Sequence, residues 1–98
     1  MGGIKMFGRQ RTVTCQRGEW TTVIRTWFAQ IPVAWTVHVA NADGEIAGEV
    51  EETKSAWIFP GTPSNVPLTP EMVFKRGYWN TFYLVRIRPV DTVTVTIK

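Results

Sequence analysis

Cys15 and His38 are the residues whose types could combine in nucleophilic catalysis, because an imidazole can activate a thiol. The chain has one cysteine and one histidine. Alternation of apolar and polar residues predicts that Cys15 faces the core with Val13, whereas His38 shares a solvent-facing side with Thr36. A buried free cysteine usually behaves as a small hydrophobic residue. We therefore expect no catalytic residues and predict that the protein is not an enzyme.

Metal binding is also not favoured by the residue types. Zinc needs three or four convergent nitrogen, sulfur or oxygen ligands, and one cysteine with one histidine is too few. Acidic residues cluster at Glu45, Glu49, Glu51 and Glu52, but no loop rich in Asp or Asn has the calcium-binding spacing. Their closeness on one hairpin also does not suit two carboxylates facing each other across a sugar cleft. We expect a solvated acidic strand, with no metal and no cofactor.

Aromatic residues are numerous, with five Trp, five Phe and two Tyr. Strand alternation assigns Trp35 and Trp57 to the core, and it leaves Trp27 and Tyr78 as exposed platforms. Flat aromatic faces complement the C–H faces of pyranose rings. A carbohydrate-binding module is therefore one alternative function.

The segment 75–88 interleaves basic and aromatic residues, including Arg86 and Arg88. Such a strand can serve single-stranded nucleic acid, whose bases stack on rings while phosphates meet arginine. The formal net charge is +3 and the acids are concentrated between Asp43 and Glu52. This net charge is small for a dedicated nucleic-acid binder. A single-stranded nucleic-acid-binding barrel is the second alternative, and we rank it below the first.

The sequence predicts that these residues lie on β-strands, because period-two alternation and β-branched residues dominate it. The predicted strands are residues 11–16, 20–30, 33–39, 45–51, 55–59, 78–88 and 92–97, and residues 71–75 form a strand or one helical turn. About seven to eight strands predict an all-β fold, a small antiparallel β-sandwich or barrel that is immunoglobulin-like or jelly-roll-like. The predicted core is Val13, Ile24, Trp35, Val37, Val39, Trp57, Val85, Ile87, Val93 and Val95.

Turn residues predict how the strands connect. Arg17-Gly18-Glu19 predicts a tight turn, and Asp43-Gly44 predicts a hairpin that joins residues 33–39 to 45–51. The acidic return strand suits a solvated sheet edge. From Pro60 to Pro70 the chain predicts a largely extended loop, because four prolines fix the φ angle and one glycine is permissive; these residues are Pro60, Gly61, Pro63, Pro67 and Pro70.

Length and composition bound the class of protein. Ninety-eight residues, 44% of them hydrophobic, fit a single β domain over 1–98, with 1–10 as a basic N-terminal arm. No apolar run is long enough for a membrane span, and we see no signal peptide. We expect a cytoplasmic protein or part of an assembled particle.

Two strands are apolar on both faces. In the segment 78–88, Tyr78, Phe82 and Leu84 alternate with Trp79, Tyr83, Val85 and Ile87; in 20–28, Trp20, Ile24 and Phe28 alternate with Val23 and Trp27. A two-layer sandwich buries only one face of each strand, so the second face must be covered. We predict a non-catalytic structural protein that acts through protein–protein contacts with itself or another chain, such as a virus or phage particle component or a homo-oligomeric β module. The predicted interface or ligand platform is Trp27, Tyr78, Phe82, Leu84, Arg86 and Arg88.

Overall fold

A computed structural model describes residues 10–26, 33–40, 46–55, 61–77 and 82–98. Threonine and valine recur along these segments, and their β-branched side chains favour the extended backbone. The strands are β1 (Arg11–Cys15), β2 (Thr21–Thr26), β3 (Val33–Ala40), β4 (Gly48–Ser55), β5 (Ser64–Pro67), β6 (Glu71–Arg76), β7 (Phe82–Pro89) and β8 (Val93–Ile97). No long apolar helix that could cross a membrane occurs in the described part of the chain.

The strands form two four-stranded antiparallel sheets, sheet A in the order β1-β8-β3-β6 and sheet B in the order β2-β7-β4-β5. The pairing is nested, since β1 pairs with β8, β2 with β7, β3 with β6, and β4 with β5. One long hairpin with its tip between β4 and β5 gives this pairing when it folds over into two layers. The expected all-β antiparallel sandwich is confirmed, and the strand order is that of a jelly roll.

The core lies between the sheets, where alternate residues of each strand meet. Of the predicted core, Ile24, Val37, Val39, Val85, Ile87, Val93 and Val95 are buried. Val13 and Trp35 are partly buried and pack against this cluster. Trp57 lies outside the described residues. Alternation therefore predicted the inward faces correctly on β3, β7 and β8.

The predicted hairpin between residues 33–39 and 45–51 is wrong. β3 belongs to sheet A and β4 to sheet B, so the two strands do not pair. Asp43 and Gly44 themselves lie outside the described residues. The acidic strand β4 is also not an edge, because it lies between β7 and β5. Its glutamates tolerate this position because each of them meets a hydrogen-bonding side chain of β7.

The proline-rich segment contains a strand that the sequence did not predict. Residues 64–67 form β5, which pairs with β4 from Glu52 to Glu49. Pro67 is tolerated there because β5 is a sheet edge, where a missing N–H need not leave a neighbour unpaired. The next segment, for which strand and helical turn were both open, is the strand β6.

A β-bulge in β2 corrects the predicted faces of that strand. The register against β7 shifts between Thr22 and Ile24, so one extra residue is accommodated. Val23 and Ile24 are consequently both buried, at 1% and 2% exposure. Trp20, which strict alternation placed with Ile24, instead packs against side chains of Arg86 and Arg88. Part of the apparent two-sided apolarity therefore comes from the bulge.

The turn predicted at Arg17-Gly18-Glu19 is confirmed. Gly18 has a φ of 73° and donates its N–H to the Pro89 carbonyl at 2.8 Å. Glu19 donates its N–H to the Gln16 carbonyl at 3.1 Å, which closes the turn. Glycine suits this position because left-handed backbone is costly for residues with a Cβ. The turn carries the chain from sheet A to sheet B.

Candidate functional site

The outer face of β7 carries four of the six residues predicted as an interface or ligand platform. Phe82, Leu84, Arg86 and Arg88 alternate with the buried Tyr83, Val85, Ile87 and Pro89, and each of the four is half-buried. The other two, Trp27 and Tyr78, lie outside the described residues. We call the four side chains the β7 platform. Alternation alone placed them on one face, because side chains of a strand point to opposite sides in turn.

The ionic half of the β7 platform consists of Arg86 and Arg88, and both are paired with glutamates of β4. Arg86 stands opposite Glu51 in register, and Arg88 stands opposite Glu49. Arg86 Nη2 lies 2.5 Å from Glu51 Oε1, and Arg86 Nε donates to the same oxygen at 2.8 Å. Arg88 Nη2 lies 2.6 Å from Glu49 Oε1. The carboxylates thus neutralise both guanidinium groups directly across the strand pair.

The indole ring of Trp20 lies against both of these arginine side chains. The Arg86 Cζ atom lies 5.0 Å from the centroid of the Trp20 ring, and the Arg88 Cζ atom lies 4.8 Å from it. These distances are within the range of cation–π attraction. Each arginine therefore has a carboxylate and an indole as neighbours. This pairing leaves less positive charge for a phosphate than the sequence count of bases suggested.

The apolar half of the β7 platform consists of Phe82 and Leu84, and it borders a groove of about 280 Å³. Its lining residues come from β2, β4 and β7 and are Arg25, Thr26, Thr53, Ser55, Phe82, Tyr83 and Leu84. Thr53 is opposite Leu84 in register, and Ser55 is opposite Phe82. An aromatic ring thus lies beside hydroxyl groups and one exposed arginine. Such a lining can hold a small amphipathic ligand or a side chain of another protein.

Behind the β7 platform, Tyr83 links the two sheets. Its ring stacks on Trp35 of sheet A, with centroids 5.5 Å apart, and its hydroxyl donates to Glu52 Oε2. Burial raises the pKa of Tyr83 well above its ordinary value, and the hydrogen bond and negative charge of Glu52 raise it further. The tyrosine is therefore held as a neutral donor to Glu52.

Cys15 and His38 lie on different strands of sheet A, Cys15 on β1 and His38 on β3. Cys15 is fully buried at the end of β1, and desolvation raises the pKa of its thiol despite a hydrogen bond with Thr21. His38 is exposed on β3. The two side chains thus point to opposite sides of sheet A and are not brought together. No group of three metal-ligating side chains occurs among the residues that the structure describes.

A second surface, which the sequence did not single out, lies where the edges of both sheets meet. The edge strands β5 and β6 flank a groove of about 440 Å³ lined by Glu52, Val66, Pro67, Thr69, Met72, Val73 and Phe74. Val66 is 47% exposed and Val73 is 63% exposed. We call this surface, β5 and β6 with the groove between them, the open side. Met72, Val73 and Phe74 are three consecutive apolar residues, which in a strand put apolar side chains on both faces. This run could have indicated the surface, but sequence alone does not say which strands are edges.

Comparison with protein-family models gives no match for this chain. Comparison with curated proteins gives none either. No solved structure matches it. The class that the geometry defines is an eight-stranded jelly roll with a half-ionic, half-apolar outer face on sheet B and an open side between β5 and β6.

Proposed function

We propose that this protein is a non-catalytic structural subunit that assembles through protein–protein contacts, as a virus or phage particle component or a homo-oligomeric β module. The nested strand pairing carries this proposal, because jelly rolls recur in capsid subunits as well as in lectins and cupins. A fold hosts many functions, so surface features must select among them.

Two surface features favour assembly. The β7 platform presents Phe82 and Leu84 at half-burial on the outside of a sheet, where a partner chain would exclude the remaining water. The open side presents two exposed valines beside a groove. Protein interfaces combine an apolar centre with a polar rim. The paired Arg86 and Arg88 beside the apolar groove supply such a rim on the β7 platform.

Carbohydrate binding is the second candidate function, and the groove of about 280 Å³ favours it. Phe82 offers a ring face, while Thr53, Ser55 and Arg25 offer hydrogen-bonding groups at its border. Binding on a glycan array that is lost in Phe82→Ala and kept in Thr14→Ala would support this function. Thr14 is a matched control because it is exposed on the opposite sheet.

Single-stranded nucleic acid has less support. Glu51 and Glu49 pair with Arg86 and Arg88, and the same guanidinium groups lie over Trp20. A phosphate would have to compete with these carboxylates. Salt-sensitive retention on single-stranded DNA or RNA would favour this function over assembly, because phosphate contacts release counterions.

The mass in solution tests the assembly proposal. Light scattering at high micromolar concentration should give a multiple of the 11.1 kDa chain mass. Phe82→Asp should lower that mass, because it places a charge in the apolar half of the β7 platform. Thr14→Asp, with the same new charge on the exposed outer face of sheet A, should leave it unchanged. A wild-type protein that stays monomeric under these conditions would overturn the proposal.

A further inference from the structure

Strand β6 has one paired edge and one edge to which no described strand pairs. It pairs with β3 from Val33↔Arg76 to His38↔Glu71 and ends sheet A on its other side. A sheet edge presents N–H and C=O groups to which another strand can bond. Val73, at the middle of β6, is 63% exposed. An exposed β-branched residue on a sheet edge favours docking of a further strand.

Strand β6 carries opposite charges at equal distances on the two sides of Val73. Glu71 lies two residues before Val73 and Lys75 lies two residues after it, and all three are exposed on the outer face of sheet A. The residues between them, Met72 and Phe74, face inward and are half-buried and buried. Reading the strand in reverse therefore exchanges an acid for a base and one apolar residue for another.

Antiparallel pairing of two β6 strands with Val73 at the centre uses this symmetry. Glu71 of each copy then stands opposite Lys75 of the other, and Met72 stands opposite Phe74. Opposite charges that face each other across an antiparallel pair are stabilising, and like charges are destabilising. A parallel pairing in register would instead place Glu71 opposite Glu71. A shift by one residue would put outward-facing side chains opposite inward-facing ones.

We propose that the free edge of β6 binds the same edge of a second copy of this chain, in antiparallel register centred on Val73. The two copies then share one continuous eight-stranded sheet, and the contact is isologous, with a two-fold axis perpendicular to the sheet. This inference rests on the proposed self-assembly and names one surface that carries it.

The geometry of the open side agrees with a second copy as the occupant. β5 ends sheet B on the same side as β6, since residues of both strands line the groove of about 440 Å³. A two-fold axis perpendicular to the sheets brings the second copy's β5 towards Val66, which is 47% exposed. The groove then lies at the dimer contact, where the half-buried Met72 gains apolar neighbours. Pro67 limits backbone pairing of β5, so β6 supplies the main-chain hydrogen bonds.

A charge-reversal cycle tests the pairing and its register. Glu71→Lys places two lysines opposite each other at both ends of the contact, and Lys75→Glu places two glutamates there. Each single variant should self-associate with an affinity about tenfold weaker than that of the wild-type protein. At the same protein concentration it should therefore show a lower mass. The double variant Glu71→Lys/Lys75→Glu should restore the wild-type mass. An equimolar mixture of the two single variants should associate, because every lysine pair is then replaced by a lysine–glutamate pair.

Glu19→Lys is the matched control for Glu71→Lys, because Glu19 is exposed in the turn before β2 and the two substitutions change the net charge equally. It should leave the mass unchanged. Light scattering or sedimentation velocity gives the masses, and circular dichroism checks that each variant is folded. If the wild-type protein is a multimer whose mass no reversal alters, the β6 contact is overturned while self-assembly stands. If the wild-type protein is a monomer, both proposals are overturned.

A cysteine at the centre gives a readout that does not depend on charge. In the proposed register two Val73 side chains face each other, with Cβ atoms about 4.5–5.5 Å apart. This separation exceeds the Cβ–Cβ distance of most disulfides, so a short bifunctional thiol reagent, rather than oxidation, should join two Val73→Cys chains into a covalent dimer. Thr94→Cys, exposed in the middle of sheet A, should not give this dimer, and the native Cys15 is buried. Equal cross-linking of both variants would contradict the register.

Discussion

Trp35 of β3 and Tyr83 of β7 stack across the interior of the jelly roll, with ring centroids 5.5 Å apart and ring planes inclined by 11°. The contact joins the two sheets, because β3 belongs to sheet A and β7 to sheet B. Tyr83 is only 1% exposed and its hydroxyl donates to Glu52. A single tyrosine thus combines aromatic packing between sheets with a hydrogen bond to an acidic side chain of sheet B.

The stack should contribute measurably to stability. Tyr83→Ala should lower the free energy of unfolding by about 3–5 kcal/mol, since it leaves a cavity between the sheets. Tyr83→Phe keeps the ring and should cost about 1–3 kcal/mol, because Glu52 loses its donor. In a double-mutant cycle with Trp35→Ala, urea unfolding should give a coupling energy of about 0.5–1.5 kcal/mol. A coupling near zero would show that the stack does not stabilise the fold.

Alkaline pH should destabilise the protein through the same tyrosine. The pKa of Tyr83 is raised in the folded state above its ordinary value near 10, so above that pH the unfolded chain loses a proton that the folded chain keeps. The free energy of unfolding therefore falls as pH rises above 10 and is unaffected by this group at neutral pH. The free energy of unfolding, measured at several pH values above 10, should fall less steeply for Tyr83→Phe than for the wild-type protein. An identical slope for both proteins would contradict the assignment.

Cys15 should react slowly with thiol reagents in the native state. Its side chain is fully buried, and burial raises the pKa of the thiol, so little reactive thiolate is present at neutral pH. Labelling should become fast when the protein is unfolded in denaturant. Thr14→Cys in a Cys15→Ala background supplies the control, because residue 14 is exposed on the other face of β1. Equally rapid labelling of Cys15 and Cys at position 14 would argue against burial.

Gly48 should not tolerate a side chain. A Cβ atom added there would lie 2.5 Å from the Arg88 carbonyl oxygen and 2.7 Å from Pro89 Cα, and the φ of 154° is rare for other residues. Gly48→Ala should therefore cost about 1–3 kcal/mol, measured by thermal or urea unfolding. Gly18→Asn tests the alternative that any glycine change is costly. Gly18 has a φ of 73° with no atom within 4 Å of an added Cβ, and asparagine tolerates this region, so the change should be nearly neutral.

The sequence by itself determined six of the eight strands, all but β5 and β6, and which side of most strands faces the core. On β7 and β8 the alternation of Tyr83, Val85 and Ile87, and of Val93 and Val95, gave the buried faces without knowledge of partners. This works because side-chain direction in a strand depends only on the local backbone, with period two. The same logic put Phe82, Leu84, Arg86 and Arg88 together on the β7 platform.

Only the tertiary structure decided which strands pair. Asp43-Gly44 has the residues of a local hairpin, yet β3 pairs with β6 and β8, and β4 pairs with β5 and β7. Pairing depends on packing two whole layers against each other, which no local signal encodes. Edge positions follow from pairing, and therefore the acidic β4 is internal and β6 is an edge.

Tertiary structure also decided the environment of single side chains. The bulge near Val23 broke strict alternation, because one extra residue against β7 moves its neighbours to other faces. Trp20 meets Arg86 and Arg88 only because β2 pairs with β7, far along the chain. The sequence shows where charges and rings occur along a strand; long-range pairing decides which charges are neutralised and which apolar edges remain open for a partner.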